Sequence, residues 1–322
     1  MGIYLNPGNE VFRQIVNADL YIDKTMLLRE TNRLLDSANK YICMSRPRRF
    51  GKTVTGNMLC SYYSRGCDSR ELFEPFRISR DPGFLKNLNR YHVIKIDMNS
   101  EYQSAQEKKD VLKILTEEVR EEMKTAFPDV VFRGSDSLAR CILRVYAAKQ
   151  ETFIILLDEY DVFVREQVSD ELFQEYLAFL NSLFKSDTLR PAISLAYLTG
   201  ILPIVRDKVQ SKLNNFREYT ILNAGVFAEY VGFTARETEE VCAERGIDFN
   251  ECRRWYNGYR QKGFEIYNPE SVARCVETHI FDSYWGQTSS YEVISDRIRL
   301  DFAGTKETSR SEERRVGKEC RS

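Results

Sequence analysis

The stretch at 45–53, S-R-P-R-R-F-G-K-T, constrains the fold more than any other part of the sequence. It follows a short apolar run at 41–44 and precedes a run at 54–63 that favours a helix. Strand, loop, Gly-Lys-Thr and helix is the order in which a phosphate-binding loop works. In such a loop, backbone N–H groups and the positive end of the helix dipole face an anion. The sequence therefore predicts a nucleotide site here.

Each residue type at the end of this loop has a separate task. Gly51 would let the backbone close around a phosphate, because it has no Cβ in the way. Lys52 would reach the β- and γ-phosphates, and the Thr53 hydroxyl would ligate Mg²⁺. The residues predicted to contact the nucleotide from this loop are Arg48, Arg49, Phe50, Gly51, Lys52, Thr53 and Val54.

The match to the general pattern G-x-x-x-x-G-K-[ST] is incomplete. The pattern requires a glycine where this chain has Arg46, and Pro47 and two arginines fill the middle of the loop. The loop alone therefore leaves open a second interpretation, in which Gly-Lys-Thr is an ordinary helix start after a basic loop.

A second motif, F-I-I-L-L-D-E-Y-D at 153–161, is an unbroken apolar run that ends in acids. Such a run predicts a fully buried parallel strand, and its carboxyl end lies where α/β sheets bind ligands. Asp158 is placed to hold Mg²⁺, directly or through water. Glu159 is the candidate general base for the water that attacks the γ-phosphate. The alternative is an acidic turn at the start of the next helix.

The two motifs, in this order in one chain, predict a P-loop NTPase. At this point the chain resembles the bacterial AAA-ATPase-like proteins, and by motif spacing the resemblance spans roughly residues 3 to 295. The motifs that carry it are R-P-R-R-F-G-K-T at 46–53, L-L-D-E-Y-D at 156–161, L-T-G-I-L at 198–202, Y-I-D-K-T at 21–25, W-Y-N-G-Y at 255–259 and Y-N-P at 267–269.

The resemblance implies an α/β fold of the AAA/ASCE type, with a parallel sheet flanked by helices and ATP and Mg²⁺ as ligands. It implies the strand order 5-1-4-3-2, in which one strand inserts between the loop strand and the acidic strand. The family tolerates Arg-Pro in place of the first loop glycine. In the family, a nuclease-like domain of the PD-(D/E)XK class usually follows the ATPase module.

Further strands are expected at about 91–97 and at 192–198, with a short edge strand at 219–222. The fourth strand ends in Thr199-Gly200, next to the acidic strand. A polar side chain at that strand end could sense the γ-phosphate, so Thr199 joins the predicted nucleotide contacts. A simple turn before Ile201 is the alternative.

Long helices are expected at 103–125, 136–150 and 168–185, the last with an aromatic stripe typical of a core. Asp23 or Thr25 could cap an earlier helix. The predicted ATPase domain covers 1–225. Residues 226–300 form a smaller, mostly helical lid domain for which a winged helix is left open, and Thr234 and Glu237 predict a capping box in it.

The tail at 301–322 is expected to be disordered because it has no apolar period. Residues 310–322 look like the translation of a common sequencing adapter and are expected to be an artefact. The gene would then be cut short near residue 309, where the family's nuclease domain should begin. The sequence shows no acid–Glu-x-Lys nuclease constellation after a strand, so it does not support nucleic acid as a partner.

Composition limits the other partners. The 322 residues are 43% hydrophobic and 30% charged, which is typical of a globular protein, and the net charge of −1 gives no overall attraction to nucleic acid or anionic membranes. We expect no signal peptide, because the start lacks a basic segment and an apolar core. The longest uncharged stretch, 191–205, is too short to span a bilayer. We expect a cytoplasmic protein that binds ATP and has an unknown protein partner, with a homo-oligomer left open.

Three functions remain open at this stage. The chain could hydrolyse ATP, it could bind ATP as a slow or non-hydrolysing switch or scaffold, or it could be the ATPase half of a nuclease-associated protein. The first two differ in whether Glu159 and an arginine finger meet the γ-phosphate. The sequence does not choose between Arg206 and Arg217 as that finger.

Overall fold

The structure is a computed structural model, and it describes residues 2–203, 213–221, 223–256, 259–261, 264–282 and 284. The chain divides into two compact units, Met1–Val231 and Gly232–Ser322. The sequence predicts the boundary after residue 225, but Phe227 is fully buried and packs edge-on against Tyr219 of the first unit. The predicted disordered tail, 301–322, lies outside the described residues.

The first unit is built on a five-stranded parallel sheet in the order β2-β3-β4-β1-β5. Its strands are β1 (Tyr41–Ser45), β2 (His92–Asp97), β3 (Phe153–Asp158), β4 (Ile193–Gly200) and β5 (Arg217–Tyr219). Its helices are α1 (Glu10–Val16), α2 (Leu27–Leu34), α3 (Lys52–Tyr63), α4 (Arg70–Phe73), α5 (Phe84–Asn87), α6 (Met98–Ser104), α7 (Val111–Ala126), α8 (Leu138–Lys149), α9 (Val162–Arg165) and α10 (Asp170–Phe184).

This strand order confirms the expected order 5-1-4-3-2. The strand β4 inserts between β1 and β3, so the loop strand and the acidic strand are one strand apart. Every residue of β1, β3 and β4 is buried, as the continuous apolar runs predict for strands covered on both faces. The edge strand runs parallel to β1 over residues 217–219, slightly earlier than the predicted 219–222.

The aromatic stripe of α10 lies in the core, as predicted. Phe173, Tyr176 and Phe184 are buried there, and the Tyr176 ring stacks on Phe163 of α9 with centroids 4.2 Å apart. Buried faces of α7 and α8 belong to the same core, beside β2 and β3. This packing holds the helix that follows the acidic strand end in place.

The helix predicted at 103–125 corresponds largely to α7, Val111–Ala126, but its predicted start is wrong, because the short helix α6 ends at Ser104 and α7 begins only at Val111. Asp97 accepts hydrogen bonds from the N–H groups of Asn99 and Ser100, so α6 begins directly after β2. That helix ends at Ser104, and the Lys108 ammonium donates to three carbonyls near its end. Side-chain partners at both ends stabilise this short helix ahead of α7, whereas the charged pattern predicted a helix that starts at residue 103.

The predicted cap of α2 is also wrong. Asp23 accepts hydrogen bonds from the N–H and hydroxyl of Thr25, at 2.8 and 2.6 Å, and from the N–H of Arg77 at 2.8 Å. Helix α2 begins later, at Leu27, and Met26 gives it no side-chain cap. The Y-I-D-K-T motif therefore ties two distant segments together.

The second unit combines α11 (Ala235–Arg245), α12 (Phe249–Trp255) and α13 (Pro269–Thr278) with a small antiparallel sheet. That sheet has the order β6-β8-β7, from β6 (Phe233–Thr234), β7 (Tyr259–Gln261) and β8 (Phe264–Tyr267). The predicted capping box at the start of α11 is present. A three-residue turn with Gly246 at φ +70° joins α11 to α12, which gives a helix-turn-helix followed by a hairpin.

Candidate functional site

The carboxyl ends of three neighbouring strands bring the two sequence motifs together. The loop leaves β1 after Ser45, which lies opposite Gly200 in β4, and Leu157 of β3 lies opposite Leu198 of the same strand. The strands are parallel, so loop, acids and Thr199 all emerge at one edge of the sheet. Ligands bind at this edge in open α/β sheets.

Gly51 gives the loop its shape. Its φ is +82°, a left-handed conformation that glycine adopts without steric cost, and it directly precedes the first residue of α3. Among the described residues, no atom lies within 4 Å of the place where a Cβ would stand. The first turn of α3 likewise has no acidic residue and no side-chain cap within the described chain. This helix end therefore suits an anion.

Lys52 is the first residue of α3, and its side chain folds back over the loop. Its ammonium donates to the carbonyls of Arg46 and Pro47, both at 3.0 Å, and lies 3.9 Å from Glu159 Oε1. Burial lowers the pKa of Lys52, while the nearby carboxylates of Glu159 and Asp158 act to raise it. The lysine thus stands between the loop and the acidic strand end.

Asp158 and Thr199 form a buried polar pair at this strand edge. The Thr199 hydroxyl donates to Asp158 Oδ1, which also accepts the N–H of Glu159 at 3.0 Å. Both side chains are nearly fully buried. Because Oδ1 is engaged twice, its orientation is fixed, and no described residue donates to the second oxygen, Oδ2. Asp158 can therefore offer that oxygen to a cation.

Glu159 follows with a backbone φ of +52°, which is uncommon for a residue with a side chain. Its carboxylate accepts a 2.5 Å hydrogen bond from Arg165 and faces Lys52. Burial raises the pKa of Glu159 above that of an ordinary glutamate, although Lys52 and Arg165 act in the opposite direction. Left-handed backbone at non-glycine residues is concentrated at functional sites, where surrounding contacts offset its cost.

The remaining predicted residues occupy different positions. The side chains of Arg48, Arg49 and Thr53 are exposed, and Val54 is half-buried. Phe50 is fully buried, so it could contact a phosphate only through its backbone. The two candidate arginine fingers fall elsewhere: Arg217 is an exposed residue at the start of β5, and Arg206 lies outside the described residues.

Arg46 has a structural role that the sequence did not indicate. Its side chain is buried, and it donates to the Ser45 and Tyr219 carbonyls, both at 3.0 Å. Its N–H donates to the Gly200 carbonyl at 3.0 Å. Burial lowers the pKa of Arg46 to about 10. The residue that replaces the usual first glycine thus joins the loop to β4 and β5.

The sequence did not identify Asp161 and Arg165 as a pair of residues in this site. Arg165 Nε lies 3.5 Å from Asp161 Oδ2, and Asp161 Oδ2 accepts the N–H groups of Ile201 and Leu202 at 3.1 and 2.8 Å. The i,i+4 spacing of an acid and an arginine was the available signal. The sequence could not show that both side chains turn toward Glu159 and the end of β4.

Comparisons with known proteins give a family match and one curated relative. Residues 7–210 match the model of a family described as predicted AAA-ATPase. An uncharacterized protein from the vnfD 5′ region of Azotobacter chroococcum mcd 1 is 24% identical over 302 residues, which cover 90% of this chain and 55% of that protein. The chain thus spans about half the length of this curated relative.

Solved structures give weaker similarities. The Aeropyrum pernix Orc1 protein in complex with DNA matches with 15% identity and a TM-score of 0.38, over 76% of this chain and 54% of that chain. PCH-2 from C. elegans matches with 12% identity and a TM-score of 0.31, over 73% and 45% of the two chains. In the described part of the chain, no helix has the length and apolar character needed to cross a bilayer.

Proposed function

The chain belongs to the family of predicted AAA-ATPases, and from this premise we propose that it binds Mg·ATP at the strand edge described above and hydrolyses it. The observation that carries the proposal is the position of Lys52. Its ammonium touches the carbonyls of the loop and faces Glu159 at 3.9 Å, so one cation links the two motifs. A triphosphate in the loop would offer this ammonium stronger, charge-assisted hydrogen bonds than the carbonyls do.

The residues fit a magnesium ion shared with the substrate. Thr53 and Asp158 would hold it, and the bound ion would neutralise phosphate charge. Mg²⁺ usually keeps several waters and takes one or two protein ligands plus phosphates. No cluster of three or more metal-binding side chains occurs in the described ranges, and such a site does not need one.

Within the proposal, Glu159 is the general base and Thr199 is the polar residue that meets the γ-phosphate. Glu159 lies beside the lysine that would hold the phosphates, and its left-handed backbone turns its side chain out of the strand direction. The Thr199 hydroxyl donates to Asp158, so these two buried side chains hold each other in place. Arg48 and Arg49 extend from the loop, where their charges would attract the nucleotide before it binds.

A second candidate function is supported by the Arg165 contact. A carboxylate paired with a guanidinium at 2.5 Å is a poor base while that pair persists. The alternative is therefore an ATP-dependent switch or scaffold that binds the nucleotide and turns it over slowly or not at all. The third hypothesis is that the chain is the ATPase half of a nuclease-associated protein. The α12 arginines Arg253 and Arg254 pair with Glu265 and Glu251, so they give little support to a nucleic-acid contact in the second unit.

Single-turnover hydrolysis beside equilibrium binding of labelled ATP tests the proposal. Glu159→Gln keeps the shape of the side chain and removes the base, so we expect turnover to fall by about 10² to 10⁴ while binding persists. Glu166→Gln is the matched control, because this exposed carboxylate lies just beyond the end of α9, the short helix that follows Glu159. Hydrolysis by Glu159→Gln at the wild-type rate would remove Glu159 from the mechanism. Binding without any turnover by the wild type would favour the switch.

A further inference from the structure

The end of β4 is held to the acidic motif by contacts outside the strand ladder. On the side of β3, the last ladder pair in the described chain joins Leu157 to Leu198. The backbone of Glu159 then adopts its left-handed turn, at φ +52°, and the residues that follow lie against the end of β4. From this point on, Tyr160 and Asp161 supply the hydrogen bonds that the ladder no longer makes.

Asp161 makes two of these contacts through one oxygen. Its side chain is buried, and Oδ2 accepts the N–H groups of Ile201 and Leu202 at 3.1 and 2.8 Å. Hydrogen bonds to a carboxylate are about twice as strong as those between neutral groups. Because one oxygen accepts two successive N–H groups, it fixes the direction in which the chain leaves β4.

Tyr160 holds the same segment, 199–202, from both ends. Its N–H donates to the Thr199 carbonyl and its hydroxyl donates to the Leu202 carbonyl, both at 2.9 Å. Its ring lies directly on Gly200, where a Cβ would stand 2.6 Å from Tyr160 Cε1. The glycine of the L-T-G-I-L motif therefore lets the acidic motif lie against the strand end.

Thr199 is the site residue whose position depends on these contacts. Its hydroxyl donates to Asp158, and its side chain is almost fully buried. Threonine is branched at Cβ, so χ1 has few allowed values and the hydroxyl follows the backbone. A shift of the backbone at 199–202 would therefore move this hydroxyl relative to the strand edge where the phosphates are expected.

We propose that Asp161 is a positioning residue for Thr199: by holding the segment 199–202, it makes the site select nucleoside triphosphates over diphosphates. The inference rests on the proposed function, in which Thr199 meets the γ-phosphate. A diphosphate lacks that group, so the position of the hydroxyl affects the binding of the two nucleotides differently. Asp161 acts only through the protein backbone, since Oδ2 holds two N–H groups of the chain itself.

Calorimetry with Mg·ADP and with a non-hydrolysable ATP analogue in Mg²⁺ tests this selection. The wild type should bind the analogue more tightly than ADP. Thr199→Val keeps the shape and removes the hydroxyl, so the preference should fall on the order of tenfold, which corresponds to one hydrogen bond to a charged group. Asp161→Ala should lower the preference by a similar factor. The double variant should lose no more than Thr199→Val alone, because both changes remove the same contact.

Two conservative variants separate positioning from folding. Asp161→Asn keeps an oxygen that can accept both N–H groups, so it should retain most of the preference for the analogue. Tyr160→Phe removes only the hydroxyl contact with Leu202 and should show a smaller loss in the same direction. It replaces Asp161→Ala in the comparison with Thr199→Val if that variant does not fold.

Asp136→Ala is the matched control. Asp136 is also a buried carboxylate that accepts a backbone N–H, that of Arg133 at 2.7 Å, and it pairs with Arg144 of α8. Its contacts lie between α7 and α8 and include none of the predicted site residues. Asp136→Ala should therefore lower the melting temperature without changing the preference for the analogue over ADP.

The positioning role is wrong if Asp161→Ala weakens the binding of both nucleotides by the same factor, or if its effect adds fully to that of Thr199→Val. A wild type that binds ADP and the analogue equally well would also overturn it, while leaving the nucleotide site intact. Failure of the wild type to bind either nucleotide would instead overturn the proposed function, and the positioning role with it.

Discussion

A methyl group added at Gly200 should destabilise the end of β4. A Cβ there would lie 2.6 Å from Tyr160 Cε1 and 2.9 Å from Asp161 Oδ1. Neither neighbour can move freely. The Tyr160 hydroxyl donates to the Leu202 carbonyl at 2.9 Å, its N–H donates to the Thr199 carbonyl at 2.9 Å, and its carbonyl accepts the Tyr176 hydroxyl at 2.6 Å.

The size of the effect follows from this close approach. Overpacking of a buried site costs about 1–3 kcal/mol, because neighbouring side chains must leave their preferred positions. For a unit of the size of Met1–Val231, each kcal/mol lowers the melting temperature by about 2–4 °C. Gly200→Ala should therefore melt several degrees below the wild type.

Thermal unfolding of Gly200→Ala beside Gly56→Ala tests the reasoning. Gly56 lies inside α3, and a Cβ there meets no described atom within 4 Å. Alanine favours a helix over glycine by about 1 kcal/mol, so Gly56→Ala should melt at or above the wild-type temperature. A melting temperature of Gly200→Ala equal to that of the wild type would refute the close packing of Tyr160 and Asp161 on the end of β4.

Two further predictions concern the acids of the site. Asp158→Ala should weaken both ATP binding in Mg²⁺ and turnover, because the cation acts in both the ground and transition states. In excess chelator, the variant and the wild type should bind ATP with the same affinity. If the Mg²⁺ dependence of binding is unchanged in the variant, Asp158 does not have this role. A general base acts when deprotonated, so turnover should fall as pH drops through the pKa of Glu159. Burial raises that pKa, so the acid limb of the kcat profile should lie above the pH expected for an exposed glutamate, and the residual rate of Glu159→Gln should lack this limb.

The strands of the sheet could be predicted from the sequence because each strand is marked by a local stretch of apolar residues. The apolar run at 153–157 and the mostly apolar stretch at 192–198 correspond closely to β3 and β4, and the family resemblance supplied the order in which the strands pair. The capping box at Thr234 was equally local, since both partners lie within one helical turn.

The long-range contacts of the site could not be predicted in this way. Arg46 departs from the loop pattern, and only the fold shows that its guanidinium reaches the Tyr219 carbonyl. Arg165 is one of many arginines in the sequence, and its contact with Glu159 requires the left-handed turn at the end of β3.

In the proposed site, Lys52 holds the phosphates of ATP. Calorimetry of Mg·ATP binding to Lys52→Ala and Lys40→Ala tests it most directly. Both lysines are buried, but Lys40 lies at the amino end of β1, where its ammonium donates to the Arg190 carbonyl at 2.9 Å. A charge-assisted hydrogen bond contributes about 1.5–3 kcal/mol, so Lys52→Ala should lose roughly tenfold or more in affinity. Lys40→Ala should bind like the wild type, whereas unchanged affinity in Lys52→Ala would contradict the nucleotide site.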